Sequence, residues 1–86
     1  MIEPYDDAAP TGDDLTAYDQ AHLKLYARLL DADSDGADWR EIVRIVFGID
    51  PAREPRRAAT VHQGHLARAR WMARKGYLLL LRGSPD

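Results

Sequence analysis

The chain has 86 residues, of which 45% are hydrophobic and 30% charged, with a formal net charge of −2 at pH 7. This length allows one small core, so a single domain is expected and the interdomain cleft of a larger enzyme is excluded. Cysteine is absent, which excludes disulfides, thiolate zinc sites and thiol nucleophiles. The acidic N-terminus differs from a signal peptide, and the longest apolar run, residues 77–81, is too short to span a bilayer. We therefore expect a cytoplasmic protein that makes no membrane contact.

The charges are distributed unevenly along the chain. Residues 1–38 carry ten acids and two bases, a net charge of −8, whereas residues 39–86 carry ten bases and four acids, a net charge of +6. This asymmetry predicts one acidic and one basic face, unless the fold interleaves the two halves and cancels their fields.

Residues 1–14 are predicted to form a disordered acidic tail, and residues 15–83 a single helical domain. The tail contains two prolines, a glycine and five acids, with little apolar content. The first helix of the domain is predicted over residues 15–31, because leucines and tyrosines recur there at intervals of three and four residues. Asp14 or Thr16 can cap this helix, since a short side-chain oxygen accepts a hydrogen bond from a first-turn amide.

The second predicted helix begins at Asp38. Asp38 and Glu41 have the spacing of an aspartate-led capping box. The apolar residues that follow at helical spacing are Trp39, Ile42, Val43 and Val46. Gly48 is the predicted stop, because glycine readily adopts the left-handed conformation that ends a helix.

A third helix is predicted from Pro55 to about Lys75, where Gly76 ends it. The segment before it is an extended connector, because Pro51 and Pro55 prevent a continuous helix. Residues 77–81 are expected to form a short apolar element, a strand or a helical turn, that closes the core. Together these elements predict an all-α fold, a small helical domain.

The third helix has two contrasting faces when its residues are placed at 100° steps. The inward face consists of Ala58, Val61, His62, His65, Leu66, Ala69, Met72 and Ala73. The outward face consists of Arg56, Thr60, Gln63, Ala67, Arg70 and Arg74. The outward face is therefore basic.

A calcium loop is suggested by residues 31–36 but not favoured. Asp31, Asp33, Asp35 and Gly36 match the first half of such a loop. The twelfth position, which should hold a bidentate glutamate, is Ile42, and that side chain is needed on the buried face of the second helix. A solvated acidic turn is the better interpretation.

Metal binding by histidine and catalysis are also not favoured. His62 and His65 share one helix face and could chelate a metal with His22, but they lie in the apolar stripe without a neighbouring carboxylate to orient them. No serine or threonine lies in a turn that would activate it. We expect no metal, no cofactor and no enzymatic activity.

The arginines of the third helix allow two interpretations. Arg56, Arg70 and Arg74 can follow a phosphate backbone while Thr60 and Gln63 face base edges. Such a helix after a shorter amphipathic one suggests a helix-turn-helix, although the connector exceeds the three or four residues that usually join these helices. Alternatively, the basic face holds the acidic first half of the chain through ion pairs. Periodicity alone does not separate these alternatives.

Several short motifs together resemble a proteobacterial family long listed as a domain of unknown function, similar to the DNA-binding domain of RovC-type regulators. The resemblance covers about residues 15–83 and implies an extended-turn variant of the helix-turn-helix, which accounts for the long connector. The motifs are Tyr18-Asp19, Leu29-Leu30-Asp31, Gly36-Ala37-Asp38-Trp39-Arg40-Glu41-Ile42, Asp50-Pro51-Ala52-Arg53, His65-Leu66-Ala67-Arg68-Ala69-Arg70-Trp71-Met72 and Gly76-Tyr77.

The family resemblance implies one of two functions. Longer members are activators that bind promoters of conjugative-transfer genes, whereas short members resemble QseM-type antiactivators, which have a negative surface and bind the N-terminal domain of the activator. The acidic first half favours the second kind, since phosphate binding needs a dominant positive field. We expect an antiactivator that mimics the activator's own domain and represses transfer of an integrative and conjugative element. A quorum-sensing activator is a second possible partner, and DNA binding is expected to be weak or absent.

Candidate contacts differ between the two functions. Partner binding should need apolar anchors with a polar rim. The expected anchors are the exposed members of the first helix, Leu23, Tyr26 and Leu30, and the C-terminal Tyr77, Leu78 and Leu80, although these side chains can also belong to the core. If the protein instead binds DNA, the expected contacts are Arg56, Thr60, Gln63, Arg70 and Arg74.

Overall fold

The computed structural model describes residues 4–76, which contain four α-helices. They are α1 (Ala17–Ala21), α2 (Leu23–Ser34), α3 (Trp39–Ile42) and α4 (Pro55–Trp71). A π-helical turn extends α3 over Val43–Phe47, and another extends α4 over Met72–Gly76. The described residues contain no strand, which confirms the predicted all-α class. The apolar element predicted at residues 77–81 lies outside the described residues.

The first predicted helix is divided into α1 and α2, which corrects the expectation of one helix over residues 15–31. Thr16 caps α1 and forms a capping box with Asp19. His22 interrupts the helix at φ −118° and ψ 22°. Its amide donates to the carbonyl of Asp19 at 3.2 Å, and its ring Nδ1 lies 2.7 Å from the carbonyl oxygen of Tyr18. The His22 ring thus contacts the Tyr18 carbonyl that the His22 amide would bond in a continuous helix. No proline or glycine lies at this break.

The start and end of the second predicted helix are confirmed. The Asp38 carboxylate accepts a hydrogen bond from the Arg40 amide at 3.0 Å. Gly48 follows the π turn at φ 67°, in the left-handed region. The connector then runs to Pro55, the first residue of α4, and Asp50 stabilises its turn by accepting from the amide of Ala52 at 2.9 Å. The long connector predicted from the prolines is therefore present.

The core lies where α4 crosses α2 and the π turn after α3. Ile49, from the connector, is only 1% exposed, so the connector contributes to the core. The predicted inward face of α4 is buried except for Ala73, which is exposed beyond the last α-helical turn. The largest group of buried apolar residues is Leu25, Leu29, Ile42, Val43, Val46, Phe47, Ile49, Ala58, Val61 and Leu66.

Residues 4–14, which composition predicts to be part of a disordered acidic tail, contact this helical core in the structure. The Tyr5 hydroxyl donates to the carbonyl of Phe47 at 2.8 Å, and the two rings meet edge to face with centroids 4.9 Å apart. Ala9 is buried. Composition did not indicate this packing, because one tyrosine and one alanine provide the apolar contacts within an otherwise acidic segment. We call residues 4–14 the N-terminal arm.

The glycine at the end of α3 provides a test of the fold. Gly48→Ala should lower the free energy of unfolding by about 1 kcal/mol, because a Cβ is disfavoured at positive φ. Gly12→Ala is the matched control, since no atom lies within 4 Å of its added Cβ, and it should change stability by less than about 0.5 kcal/mol. Chemical denaturation measures both. Equal stability of the two variants would contradict the role given to Gly48.

Candidate functional site

The outward face of α4 is the first candidate surface. Arg56, Thr60, Gln63 and Arg70 are exposed along α4, and Arg74 is exposed in the π turn that extends it. At 1.5 Å per residue this stripe is about 25 Å long. The structure therefore presents all five residues predicted for DNA contact to solvent, with cations at both ends and uncharged side chains between them.

Acidic residues from the first half of the chain pair with three of the arginines of α4. Arg70 Nη2 lies 2.8 Å from Asp33 Oδ2, at the C-terminal end of α2. Arg57 Nε lies 3.0 Å from Asp7 Oδ2 in the N-terminal arm. The third pair, between Arg68 and Asp19, is buried. The two halves of the sequence thus interleave, and the positive charge of α4 is reduced.

The buried pair connects three parts of the molecule. Arg68 Nε lies 2.9 Å from Asp19 Oδ1, and Arg68 Nη2 lies 2.7 Å from Asp19 Oδ2, so the contact is bidentate. The same guanidinium donates to the carbonyl oxygens of Gly12 and Asp14 in the N-terminal arm. It also lies over the ring of Trp71, 3.7 Å from the centroid. The side chains of Arg68 and Asp19 are only 2% and 0% exposed.

Asp19 is held ionised by its neighbours. Burial on its own would raise the pKa of Asp19, but hydrogen bonds from Arg68, Thr16 and Tyr26 lower it to about 2. The hydrogen bond to Asp19 in turn raises the pKa of Arg68. Burial, followed by the hydrogen bond to the Asp19 carboxylate, raises the pKa of Tyr26. The network is therefore an ion pair with a neutral phenol donor.

Tyr26 is part of this network, which corrects the expectation that its side chain is exposed. Its ring is 2% exposed and packs with Ala69 and Met72, and its hydroxyl donates to Asp19 Oδ1 at 2.7 Å. Periodicity placed Tyr26 at the edge of the apolar stripe of the first helix. Tyr26 is buried because its ring packs against the C-terminal end of α4.

The other expected anchors differ in exposure. Leu23 is 39% exposed, whereas Leu30 is half-buried and packs against the core. Tyr77, Leu78 and Leu80 lie outside the described residues. Sequence analysis missed Ile45, which is 66% exposed and borders a shallow groove of about 230 Å³ between α2 and α3. Its position one residue before the buried Val46, away from the apolar stripe of α3, is the signal that could have identified it.

His62 and His65 are buried, and they do not belong to a metal site within residues 4–76. His65 Nδ1 lies 2.8 Å from the carbonyl oxygen of Val61, and its Nε2 lies 2.6 Å from the hydroxyl of Tyr18. Burial lowers the pKa of both His65 and His62. Over these residues, no group of three or more histidines or acids could hold a metal ion.

Backbone hydrogen bonds of the acidic turn end helix α2. The amide of Asp35 donates to the carbonyl of Asp31, and that of Gly36 donates to the carbonyl of Asp33. Asp33 also pairs with Arg70. These contacts match the solvated turn that the sequence favours over a calcium loop.

No helix within the described range is long and apolar enough to cross a membrane.

Acid should lower the free energy of unfolding of the domain by protonating Asp19. The pKa of this carboxyl is lower in the folded protein than its ordinary value of 3.8, so its stabilising effect is complete above that value and is lost as pH falls through about 2. Between pH 5 and pH 2 the loss amounts to about 2 kcal/mol. Asp19→Asn should lack this acid-dependent loss and should cost about 3 kcal/mol at neutral pH, because it leaves Arg68 unpaired.

Denaturation at several pH values measures this dependence, and NMR titration of the Asp19 carboxyl measures the pKa directly. Tyr26→Phe is the milder control, since it removes one hydrogen bond and keeps the ion pair. A carboxyl of Asp19 that titrates near 4 in the folded protein would contradict the network.

A comparison with family models gives one finding. The RovC DNA-binding domain model, described as "T6SS, Transcription factor, DNA binding domain", matches residues 4–82. The family resemblance read from the sequence motifs is thereby confirmed. The matched family is a transcription-factor domain and not an enzyme family. A search of curated proteins finds no match to the chain.

Proposed function

The chain belongs to the RovC DNA-binding domain family of transcription factors, and we propose that it regulates transcription as an antiactivator, by binding an activator protein. In this proposal the partner is the N-terminal domain of a longer family member. The chain takes the place of that activator's own helix-turn-helix domain and so represses transfer of a conjugative element. A quorum-sensing activator is a further candidate partner, and no catalytic step is involved.

The observation that carries this proposal is the pairing of α4 with the acidic half of the chain. Arg57, Arg68 and Arg70 each contact a carboxylate from residues 1–38. Affinity for duplex DNA comes largely from cations that replace the counterions of phosphates. Arginines already paired with carboxylates contribute less to such a field, and the net charge of the chain is −2. These charges support protein binding over operator binding.

The proposed docking surface has two apolar anchors, Ile45 in the π turn after α3 and Leu23 at the start of α2; Leu23 is not among the residues that line the groove beside Ile45. In the described residues these are the two large hydrophobic side chains with the greatest exposure, 39% and 66%. Arg28 and Glu41 line the groove beside Ile45 and supply a polar rim. Apolar anchors surrounded by polar groups are the usual source of binding energy at protein interfaces. Leu30 contributes less, since it already packs against the core.

Charged substitutions at the anchors test the proposal. Ile45→Asp and Leu23→Asp should each weaken binding of the activator's N-terminal domain about tenfold or more, because a desolvated anchor is worth more than about 1.4 kcal/mol. Gln63→Asp adds the same charge to the outward face of α4 and should leave this affinity unchanged. Calorimetry with folded variants, checked by circular dichroism, measures the effect.

Two results would contradict the proposal in different ways. Failure of the unaltered chain to bind the activator's N-terminal domain would exclude antiactivation. Tight binding that Gln63→Asp weakens and Ile45→Asp does not would instead move the docking surface to α4.

DNA binding through α4 is the second candidate function, favoured by the family and by the exposure of the stripe from Arg56 to Arg74. If it holds, Arg70→Glu with Arg74→Glu should abolish binding to duplex DNA and flatten its dependence on salt. Arg40→Glu with Arg53→Glu is the control of equal charge, placed on exposed positions outside α4. Fluorescence anisotropy at several salt concentrations compares the two. Equal losses in both double variants would indicate long-range charge alone and would contradict a contact by α4.

A further inference from the structure

The N-terminal arm lies along one flank of α4 and is held at both ends. At its start, the amide of Asp6 donates to the Tyr18 hydroxyl at 3.0 Å, and that hydroxyl lies 2.6 Å from Nε2 of His65. Tyr5 donates from its hydroxyl to the carbonyl of Phe47 at 2.8 Å, with its ring packed against the ring of Phe47. The first residues of the arm are thus attached to the core by uncharged groups.

The end of the arm is attached by Arg68. This guanidinium donates to the carbonyl oxygens of Gly12 and Asp14 while its other donors contact Asp19. Backbone carbonyls accept these hydrogen bonds, so the attachment does not depend on the acidic side chains of the arm. This attachment therefore does not require the charges of Asp13 and Asp14.

Between these two ends the arm contacts α4 directly. A Cβ added at Gly64 would lie 4.0 Å from the amide nitrogen of Ala9, which is ordinary van der Waals contact. Asp7 makes a two-pronged contact with Arg57: Arg57 Nε lies 3.0 Å from one carboxylate oxygen, and Nη2 lies 3.1 Å from the other. The hydrogen bond to Asp7 raises the pKa of Arg57.

The geometry of this contact is the one that arginine uses for phosphates. A guanidinium offers two parallel N–H groups that match either a carboxylate or a phosphate. Arg57 is exposed and lies next to Arg56, the first residue of the outward stripe. The carboxylate of Asp7 therefore satisfies the two donors that a nucleic-acid phosphate would engage at this end of α4.

We propose that the N-terminal arm is an autoinhibitory strap, which competes with nucleic-acid phosphates for Arg57 and covers the adjoining flank of α4. The inference rests on the proposed function, since it names the element that weakens DNA binding in a domain of a DNA-binding family. Release of residues 4–7 removes Asp7 from Arg57, which keeps its contact with Glu54 at 3.4 Å. The contacts of Arg68 with Gly12, Asp14 and Asp19 stay in place.

Two variants release the strap in different ways. Tyr5→Ala removes the ring contact and the hydrogen bond to Phe47 while the net charge stays the same. Asp7→Asn removes the charge of the carboxylate 3.0 Å from Arg57, leaves Glu54 at 3.4 Å from it, and raises the net charge by one. The matched controls are Gln20→Ala, which truncates an exposed uncharged side chain on α1, and Asp35→Asn, which raises the net charge by one at the turn after α2.

The experiment measures binding of a duplex DNA of about 20 base pairs by fluorescence anisotropy, from low to physiological salt, for the full chain and each variant. Tyr5→Ala and Asp7→Asn should each raise the affinity at low salt about tenfold, and the salt slope should steepen by about one unit as Arg57 gains a phosphate. Gln20→Ala should have no effect, and Asp35→Asn should raise the affinity by less than about twofold without a change in slope. The amide resonances of Asp6 and Asp7 should move toward disordered values in Tyr5→Ala.

The outcomes separate this inference from the proposed function. Equal gains for Asp7→Asn and Asp35→Asn, an unchanged affinity in Tyr5→Ala despite a released arm, or no DNA binding by any variant at low salt would each overturn the strap. Failure of the unaltered chain to bind the activator's N-terminal domain would overturn the proposed function and leave the differences in DNA affinity between the variants unaffected.

Discussion

The structure depends on one buried ion pair, between Arg68 of α4 and Asp19 of α1. A buried guanidinium needs an opposite charge and acceptors for its five donors, and loss of one partner from such a pair costs about 3 to 5 kcal/mol. Asp19 supplies the charge and two acceptors, while the carbonyls of Gly12 and Asp14 accept from two more donors. The need to satisfy one arginine thus fixes the arm, α1 and α4 relative to one another. Tyr26 adds α2 through its hydroxyl.

The same interleaving of charge determines what α4 can do. The domain has the helical architecture and the long connector that the sequence predicts, with an exposed stripe on its last long helix. Acidic side chains lie on both sides of that stripe, with Asp33 on α2 and Asp7 on the arm. A domain of a DNA-binding family thereby presents a less positive helix, and the exposure of the large apolar side chains Leu23 and Ile45 supports the proposal of a protein partner.

Much of this fold was predictable from local chemistry, whereas the long-range polar contacts were not. The Asp38 cap, the Gly48 stop, the connector and the buried face of α4 follow from residue type and helical spacing, so the sequence predicted them. The break at His22 was missed because a side chain replaces a backbone donor there. Arg68 lies at the edge of the inward face in a helical projection, and burial of its charge there depends on Asp19, 49 residues earlier. The outward position of Arg56, Thr60, Gln63, Arg70 and Arg74 was predictable, but the pairing of Arg70 with Asp33 was not.

The most direct test of the central claim is an amide chemical-shift titration of the labelled full chain with duplex DNA at physiological salt, followed by the activator's N-terminal domain. If these ion pairs reduce the positive charge of α4 enough to prevent DNA binding, DNA should leave the resonances of residues 56–74 unchanged at this salt, and the protein partner should shift those around Leu23 and Ile45. Saturable DNA-induced shifts along residues 56–74 at physiological salt, with no response to the protein partner, would contradict the account.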